Sequence, residues 1–412
     1  MDQEIARLEA LELERQNNGI ELIASENYPS VDVRNAQGSI FTAKYAEGYP
    51  GRRYYGGCEV VDQVENLAIE RCKKLFNVAY ANVQPHSGSQ ANFAAYRALI
   101  NQNDKILSLI LNDGGHLTHG SEVSFSANTY SFAFYPLGAD GHLDYDLIQA
   151  KLYEEKPALL LAGYSAYPYD IDFRRIREVL GAYNEATGSH CLFMVDMAHI
   201  AGQVAARKCQ NPCDYADLVT STTHKTLRGP RGGIILTNDP AIAKKINSAV
   251  FPYTQGGPLE HVIAAKAIAF AEADTEAFRS YYDHVLENNR ACNDELARLG
   301  HKVSGTDNHL FLLNVLESFG INGLEAQTRL EEVGITANKN MIHGDTLSPK
   351  YTSGIRIGFA AATSRGCTKE QAIVIAGLIS AALSDIKADL EPIRAQVRAI
   401  TSTWKDISEL TY

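Results

Sequence analysis

Long hydrophobic runs are missing from the sequence, and no uninterrupted apolar stretch reaches the ~20 residues that a helix needs to cross a bilayer. No secretory apolar segment follows Met1, so the cytosol is the expected location. Seven cysteines, an odd number scattered over 412 residues, favour reduced thiols over a disulfide framework. Cys209 and Cys213 have no second pair or histidine cluster at zinc-ligand spacing, and no metal site is predicted.

Basic clusters are missing as well. The chain carries 38 Lys and Arg against 49 Asp and Glu, a net charge of -11, without a spaced basic-aromatic pattern. This composition argues against a nucleic-acid-binding protein, and local positive sites must attract any anionic ligand. At 45% hydrophobic and 21% charged residues, the chain fits a soluble enzyme long enough for two lobes around a large core.

The pattern of apolar segments predicts an α/β fold. Between about Tyr45 and Glu272, predicted strands alternate with helices, which favours a three-layer lobe. Beyond a long helical region at 259–299, further strands and helices predict a smaller α/β lobe. The predicted strands are 105–111, 158–162, 192–196, 216–220, 234–237, 309–315 and 354–360, and the later helices are 323–332 and 369–384.

The predicted domains are an N-terminal arm at 1–44, a large domain at 45–275 and a small C-terminal domain at 276–412. The arm begins with an amphipathic helix at 2–16, in which Ile5, Leu8 and Leu11 recur about once per turn. A helix with this pattern is expected to pack on a partner subunit.

One lysine stands where a predicted strand gives way to a glycine-rich turn. The segment TTHKT at 222–226 precedes GPRGG at 229–233, so that Lys225 lies in the bend between strands 216–220 and 234–237. A desolvated lysine beside other positive charge can lose its proton and attack an aldehyde such as that of pyridoxal phosphate. A surface lysine in a loop is the alternative.

A carboxylate ends the predicted central strand 192–196. Ligands of open α/β sheets bind at the carboxyl ends of the strands, so Asp196 is a candidate to pair with a protonated pyridine nitrogen. His199 follows closely enough to reach a ring hydroxyl. The alternative is an aspartate that only caps the next turn.

Small residues stand at a predicted helix start. Ser87, Gly88 and Ser89 precede an apolar helical stretch, where free backbone amides form an anion site. The two serines could instead serve only as N-caps. The chain order is the phosphate loop, then Asp196 at the strand end, then Lys225. This is the order expected of an aminotransferase-like enzyme that uses pyridoxal phosphate.

Several longer segments resemble the serine hydroxymethyltransferase family nearly end to end. They are ELIASEN at 21–27, KYAEGYPGRRYYGG at 44–57, GGHLTHG at 114–120, TTHKT at 222–226, QGGP at 255–258 and SGIRIG at 353–358. The resemblance implies a three-layer transferase fold of type I with a mostly parallel sheet. It also implies a homodimer that transfers a one-carbon unit between serine and tetrahydrofolate with pyridoxal phosphate.

The same resemblance implies individual roles. Lys225 would hold the cofactor, and Asp196 would pair with its ring nitrogen. Arg356 with Ser25 would bind the amino-acid carboxylate. The alternative for Arg356 is an ordinary strand arginine without a role in binding. Glu47, set among aromatic residues, would be the general acid/base, with a solvated surface glutamate as the alternative. The further implied catalytic residues are His116, His224, Thr222 and Tyr55; the further cofactor residues are His116, His199, Ser87, Gly88, Ser89, Ser165, Tyr45 and Gly257; the folate residues are Leu111, Gly115, His116, Leu117, Asn340, Ser348 and Pro349.

The active site of this family is shared, so Tyr45, Tyr55, Glu47 and Gly257 are expected to complete the pocket of a neighbouring subunit. The loop expected to contact folate departs from the family pattern at Met341, His343 and Lys350, and Phe359-Ala360-Ala361 and Tyr169-Asp170 also depart from it. These changes concern pterin affinity and amino-acid preference more than cofactor chemistry. A folate-independent β-hydroxy amino acid aldolase, an α-methylserine hydroxymethyltransferase and a non-catalytic cofactor-binding protein remain alternatives.

Overall fold

The computed structural model describes residues 2–385 and 389–412. The chain divides into two compact units. The larger unit consists of Asp32–Ser165 and Asp170–Arg279, and the smaller of Met1–Val31, Ala166–Tyr169 and Ser280–Tyr412. The predicted division into arm, large domain and small domain stays a prediction.

The strands are short and distributed over the whole chain. They are Ile20–Glu21 (β1), Gly48–Tyr49 (β2), Arg52–Arg53 (β3), Tyr80–Asn82 (β4), Lys105–Leu109 (β5), Ser131–Tyr135 (β6), Leu159–Ala162 (β7), Leu192–Asp196 (β8), Leu218–Thr222 (β9), Gly233–Thr237 (β10), Lys302–Val303 (β11), Leu310–Asn314 (β12), Ile335–Thr336 (β13), Asn338–Asn340 (β14) and Gly354–Gly358 (β15).

Helices alternate with these strands. They are Gln3–Asn18 (α1), Val31–Gln37 (α2), Glu59–Phe76 (α3), Gly88–Leu99 (α4), Phe125–Thr129 (α5), Tyr145–Glu155 (α6), Phe173–Thr187 (α7), Ala201–Ala205 (α8), Pro240–Ser248 (α9), Glu260–Ala273 (α10), Glu276–Arg298 (α11), Val315–Phe319 (α12), Gly323–Glu332 (α13), Ala360–Ser364 (α14), Lys369–Ser384 (α15) and Glu391–Thr401 (α16). None of the helices within residues 2–385 and 389–412 has both the length and the hydropathy to span a membrane.

The larger unit is built on a seven-stranded sheet in the order β4-β10-β9-β8-β7-β5-β6. The five strands from β9 to β6 are parallel, whereas β10 pairs antiparallel with both β9 and β4. Strands β7 and β9 are buried along their whole length, as expected for sheet strands covered on both faces. The predicted α/β class with a mostly parallel sheet is confirmed.

The sheet brings two functional segments to one edge. Strand β8 ends at Asp196, and Asp196 pairs in register with Thr220 of β9, so both strands open onto the same crevice. Helix α4 begins beside them, with Ser87 as its N-cap: the Ser87 hydroxyl accepts a hydrogen bond from the Gln90 amide at 3.2 Å. The Ser87 side chain thereby satisfies one amide of the first turn.

The smaller unit contains a four-stranded antiparallel sheet in the order β11-β12-β15-β14. Because side chains alternate along a strand, Ile355 and Ile357 of β15 enter the core while Arg356 points to the other face. The turn after β1 lies close to this sheet, since a Cβ on Gly358 would stand 2.7 Å from Ala24. Helix α1 has no buried residue and packs on α16 within this unit.

Candidate active site

The cofactor lysine predicted from the sequence lies at the crevice edge of the larger unit. Lys225 follows β9 by three residues, in a bend, and is only 9% exposed. The predicted phosphate loop touches the end of the same strand, because a Cβ on Gly88 would stand 2.5 Å from the Thr222 Cγ2 atom. Only glycine permits this approach. The first turn of α4 therefore contacts Thr222, which precedes Lys225 by three residues in the chain.

Asp196 is fixed by a hydrogen-bond network that involves helix α4. Its Oδ2 atom accepts from Asn92 Nδ2 at 2.8 Å and lies 3.2 Å from His119 Nε2, while Oδ1 accepts from the Ala198 amide at 3.0 Å. Asn92 is itself held, since it accepts from the Thr220 hydroxyl at 2.6 Å and donates to Thr118 at 2.9 Å. The carboxylate orientation therefore depends on α4 and β9 together.

The electrostatics of this network keep Asp196 ionised. Burial alone would raise the pKa of Asp196, but the hydrogen bond and charge of His119, the charge of His116 and the hydrogen bond from Asn92 hold that pKa below its usual range. A buried carboxylate of this kind can pair with a protonated ring nitrogen.

The ligand atoms of His116, His119 and Asp196 all lie within 4.8 Å of one another, a spacing that also suits a metal ion. One of these contacts is the 3.2 Å hydrogen bond between His119 and Asp196. The group is therefore accounted for as part of the Asp196 network.

Neighbouring loops pack closely around Asp196. Gly163 has a φ of +101°, and a Cβ there would stand 1.9 Å from the Asp196 carbonyl oxygen, so no other residue fits. Two residues on, the Ser165 amide donates to the Gly114 carbonyl at 2.8 Å. His199 is 5% exposed, and its carbonyl accepts from the Thr226 hydroxyl at 3.0 Å, next to Lys225.

Two polar atoms beside Lys225 have no partner among the described residues: Thr222 Oγ1 and His224 Nδ1. Burial, with the positive charges of Lys225, Arg231 and Lys266, lowers the pKa of His224 to about 3, so the imidazole is neutral. A group bound beside Lys225 would give these two atoms hydrogen-bond partners. Together with the ionised Asp196 and the glycine cradle at Gly88, they fit pyridoxal phosphate.

Tyr45, Glu47, Tyr55 and Gly257 form a second cluster in the larger unit. The Tyr45 hydroxyl donates to Glu47 Oε1 at 3.3 Å, and the Tyr45 and Tyr55 rings meet edge to face with centroids 5.0 Å apart. A Cβ on Gly257 would stand 3.6 Å from the Tyr45 ring. The cluster borders the phosphate loop, since His86 Nε2 lies 3.3 Å from the Gly257 carbonyl.

Arg53 holds the backbone on both sides of Glu47. Its Nη1 atom donates to the Ala46 carbonyl at 2.8 Å and to the Gly48 carbonyl at 3.1 Å. The guanidinium is itself buried and lies close to three acidic side chains. They are Asp62 at 2.8 Å, Glu65 at 2.7 Å and Glu260 at 3.5 Å.

The smaller unit presents the residues predicted to bind the amino-acid carboxylate. Arg356 is 8% exposed; its Nε atom donates to Asn338 Oδ1 at 3.3 Å and its Nη2 atom to the Ser25 hydroxyl at 3.4 Å. Burial lowers the pKa of Arg356 to about 10, a value at which the guanidinium is still charged near neutral pH. Ser25 and Arg356 thus lie within hydrogen-bond distance of each other, and their role in binding a carboxylate stays a prediction.

Asp345 organises the loop of the smaller unit that was predicted to contact folate. Its carboxylate accepts from the Ser353 amide at 2.8 Å, the Ser353 hydroxyl at 2.7 Å and the Leu347 amide at 2.8 Å. Lys339 Nζ adds a bond to the Pro349 carbonyl at 2.9 Å, next to Ser348 and close to Asn340. The altered positions Met341, His343 and Lys350 belong to this braced loop.

The other predicted folate residues lie on the larger unit, after β5. Leu111 and Leu117 are 37% and 48% exposed, which leaves apolar surface for a flat ring. A Cβ on Gly115 would stand 2.5 Å from the Leu109 carbonyl, so the turn requires glycine there. His116 Nδ1 lies 2.7 Å from the Thr118 hydroxyl, which orients the imidazole.

Several organising residues were missed by the sequence reasoning: Asn92, His119, Arg53 and Asp345. One signal was present, because Asn92 interrupts an otherwise alanine-rich helix face, where a buried amide needs partners. His119 was also inside a quoted motif. Arg53 and Asp345 contact residues nearby in the chain, such as Gly48 and Ser353, but these contacts depend on the loop conformation and no motif indicated them.

A comparison with protein-family models places the chain. The family model described as "Serine hydroxymethyltransferase" matches residues 1–379. The protein is therefore a glycine hydroxymethyltransferase that depends on pyridoxal phosphate and uses serine, glycine and tetrahydrofolate. The match covers most of the 412 residues and agrees with the geometry around Lys225 and Asp196, so this chain belongs to the serine hydroxymethyltransferase family.

Proposed function

We propose that Lys225 binds pyridoxal phosphate covalently, that Asp196 faces the ring nitrogen, and that Ser87, Gly88 and Ser89 receive the phosphate. One observation carries this assignment. Gly88 abuts Thr222 at the end of β9, and Thr220 of the same strand pairs with Asp196. The proposed phosphate loop, Asp196 and Lys225 therefore lie at the same end of the sheet. When bound, the cofactor supplies an electron sink for the carbanion left at the amino-acid α-carbon.

The residues around Lys225 serve that bound ring. Asp196 would hold its negative charge toward the ring nitrogen, His116 would cover one face of the ring, and Ser165 and His199 would interact with the phenolic oxygen. Thr222 and His224 bring the two orphaned polar atoms described above. The neutral His224 can accept or donate a hydrogen bond without adding charge beside Lys225.

Arg356 and Ser25 bind the carboxylate of serine or glycine. A guanidinium offers two parallel donors, which match the two oxygens of a carboxylate and fix its orientation. Burial strengthens this contact, since little water competes for the guanidinium. The existing bonds from Arg356 to Asn338 and Ser25 support its placement for such a contact.

Glu47 is the proposed proton-transfer residue, with Tyr55 beside it. The Tyr45 hydroxyl and the Arg53 clamp on the flanking carbonyls support a fixed position for its carboxylate. Leu111, Gly115, His116 and Leu117 are proposed as folate-binding residues, and so are Asn340, Ser348 and Pro349.

The proposed assembly is a homodimer in which Tyr45, Tyr55, Glu47 and Gly257 of one copy complete the site of the other. Exposed apolar side chains around that cluster support it. Ile40 is 82% exposed, Tyr54 75%, Val60 55% and Tyr45 55%. Large apolar groups that water contacts in one copy favour burial against a second.

Helix α1 is proposed as an arm that packs on the partner, because Ile5, Leu8 and Leu11 are about half exposed. A cytosolic location is likewise proposed. It is supported by the seven cysteines, each of them free in the described part of the chain.

Reduction of the holoenzyme with borohydride tests the assignment of Lys225. The reduced cofactor should be found by peptide mapping on Lys225, and Lys225→Ala should abolish the label. Lys244 and Lys245, both exposed on α9, are the natural comparison. A label on either of them, or on any other lysine, would refute the proposed site.

A further inference from the structure

Lys266 is a lysine buried in the middle of helix α10, with 1% of its surface exposed. Its ammonium donates three hydrogen bonds, all to backbone carbonyls: Val83 at 2.7 Å, Pro85 at 3.1 Å and Gly233 at 2.9 Å. Every proton of the group therefore has a partner. The three acceptors belong to two segments, the loop that leads to Ser87 and the start of β10.

These two segments are in direct contact above the ammonium. The Gly233 amide donates to the Pro85 carbonyl at 2.9 Å, so Pro85 accepts from both Gly233 and Lys266. A Cβ on Gly233 would stand 2.5 Å from the Ser87 carbonyl oxygen. Lys266 thus braces the loop two residues before the proposed phosphate site.

The charge of Lys266 has no close counter-charge. No carboxylate in the described part of the chain forms an ion pair with it within 4.0 Å, and burial lowers its pKa to about 7. The charges of Glu65 and Cys72 on α3 act on the Lys266 ammonium, and the Lys266 charge in turn lowers the pKa values of His86 and His224. A buried ammonium without a carboxylate costs free energy, which an anion bound nearby would offset.

We propose that Lys266 is a positioning residue for the phosphate group of the cofactor, holding the loop from Val83 to Ser87 against β10 and supplying positive charge beneath it. The proposal rests on the assignment of Ser87, Gly88 and Ser89 as the phosphate site. A pre-ordered loop loses less conformational entropy when it binds a ligand. Lys266 should therefore increase the affinity for a ligand that carries a phosphate group.

The test compares two ligands that differ only in the phosphate. Dissociation constants of the apoenzyme for pyridoxal phosphate and for pyridoxal are measured below pH 7, where Lys266 carries its proton. Lys266→Met should weaken pyridoxal phosphate binding by about tenfold or more, because the variant lacks both the positive charge near the proposed phosphate site and the bonds that order its loop. The dissociation constant for pyridoxal should change by less than about twofold, because pyridoxal has no phosphate for the loop to hold. Lys244→Met, on the exposed face of α9, is the matched control and should leave both constants unchanged.

A second variant disturbs the same contact from the other side. A Cβ on Gly232 would stand 2.5 Å from Lys266 Cε and 2.9 Å from Nζ, so Gly232→Ala should displace the ammonium and reproduce the selective loss. Gly181→Ala on α7, where a Cβ has nothing within 4 Å, is its control. Competition by inorganic phosphate should weaken in both Lys266→Met and Gly232→Ala.

Equal weakening of pyridoxal and pyridoxal phosphate binding would show a general structural role and overturn the proposal, as would an unchanged affinity for both. Borohydride mapping of the same variants separates this result from the proposed site. If the label stays on Lys225 while Lys266→Met retains the wild-type preference for pyridoxal phosphate over pyridoxal, the proposed cofactor site is supported and the proposed role of Lys266 is refuted.

Discussion

Asn92 of helix α4 donates a 2.8 Å hydrogen bond to the Asp196 carboxylate at the end of strand β8, although 104 residues separate them in the chain. Helix α4 starts at the proposed phosphate loop. One helix therefore positions two parts of the proposed cofactor site, the proposed phosphate-binding turn at its beginning and the partner of the Asp196 carboxylate one turn later.

Replacement of Asn92 should affect stability and cofactor binding together. Asn92→Leu removes the donor to Asp196 and the acceptor of the Thr220 hydroxyl, and each buried group left without a partner costs about 1–3 kcal/mol of unfolding free energy. Urea unfolding of the apoenzyme measures the first effect and titration with pyridoxal phosphate the second. Asn92→Asp should bind the cofactor still more weakly, because two carboxylates then face each other.

Asn128→Ala, which removes one exposed local hydrogen bond, is the control for this pair. Wild-type cofactor affinity in Asn92→Leu would show that Asp196 keeps its orientation without the amide.

The acids around Arg53 predict a pH dependence of stability. Burial, followed by the nearby charge of Glu65, raises the pKa of Glu260 to about 8, so the folded state keeps a proton that the unfolded state loses above its ordinary value of 4.5. Where the folded state binds more protons, the free energy of unfolding falls as pH rises. The contribution of Glu260 is thus fully present at low pH and declines until about pH 8.

Glu260→Gln, which stays neutral, should flatten this decline between pH 5 and 8, measured by urea unfolding across the range. Glu59→Gln on the exposed face of α3 is the control and should keep the wild-type slope. Equal slopes in the wild type and Glu260→Gln would mean that Glu260 is already ionised beside Arg53 at low pH.

Strand and helix positions were predicted best where apolar periodicity coincides with local end signals. Strand 192–196 and helix 369–384 have the predicted bounds, the latter with a capping box between Thr368 and Gln371. The long helical region predicted at 259–299 is observed as two helices, α10 and α11, because the side chain of Thr275 begins the second helix by accepting the Phe278 amide. Neither glycine nor proline marks that break.

Strand ends that depend on distant pairing could not be predicted from local patterns. The strand predicted at 216–220 is observed at Leu218–Thr222, since pairing with β10 extends it through two hydroxyl residues. The strand predicted to end at 111 ends at Leu109, because Leu111 begins a tight turn. In the proposed site, motif order predicted Lys225 and Asp196, whose roles stay predictions, whereas no short-range pattern encodes the contact of Asn92 with Asp196, 104 residues further along the chain.

Glu47→Gln should separate cofactor binding from proton transfer. An amide keeps the shape of the side chain but cannot exchange a proton, so folate-coupled serine cleavage should fall by about 10²–10⁴-fold while pyridoxal phosphate stays bound. Glu122→Gln, an exposed glutamate, is the control. Retention of wild-type serine turnover in Glu47→Gln would assign proton transfer to another group.

Tetrahydrofolate should also act on glycine alone despite the altered loop at Met341, His343 and Lys350. When it joins the enzyme–glycine complex, exchange of the glycine α-proton with deuterated solvent should accelerate, as followed by NMR. Cleavage of allothreonine at full rate, without folate stimulation of glycine exchange or of serine turnover, would instead indicate an aldolase.

Arg356→Lys should weaken amino-acid binding without releasing the cofactor. Lysine carries the charge but offers no fork of parallel donors, and it cannot keep both the Asn338 and the Ser25 contacts. The loss of one charge-assisted hydrogen bond, about 1.5–3 kcal/mol, corresponds to an increase of about 10–150-fold in KM for serine and glycine. Ser25→Ala should raise KM less, because the guanidinium keeps its fork.

Steady-state kinetics at saturating pyridoxal phosphate measure both effects, with Arg298→Lys on the exposed end of α11 as the control. Unchanged serine kinetics in Arg356→Lys would leave Arg356 with a structural role in the sheet, since a residue that orients the substrate carboxylate must affect KM when its geometry changes.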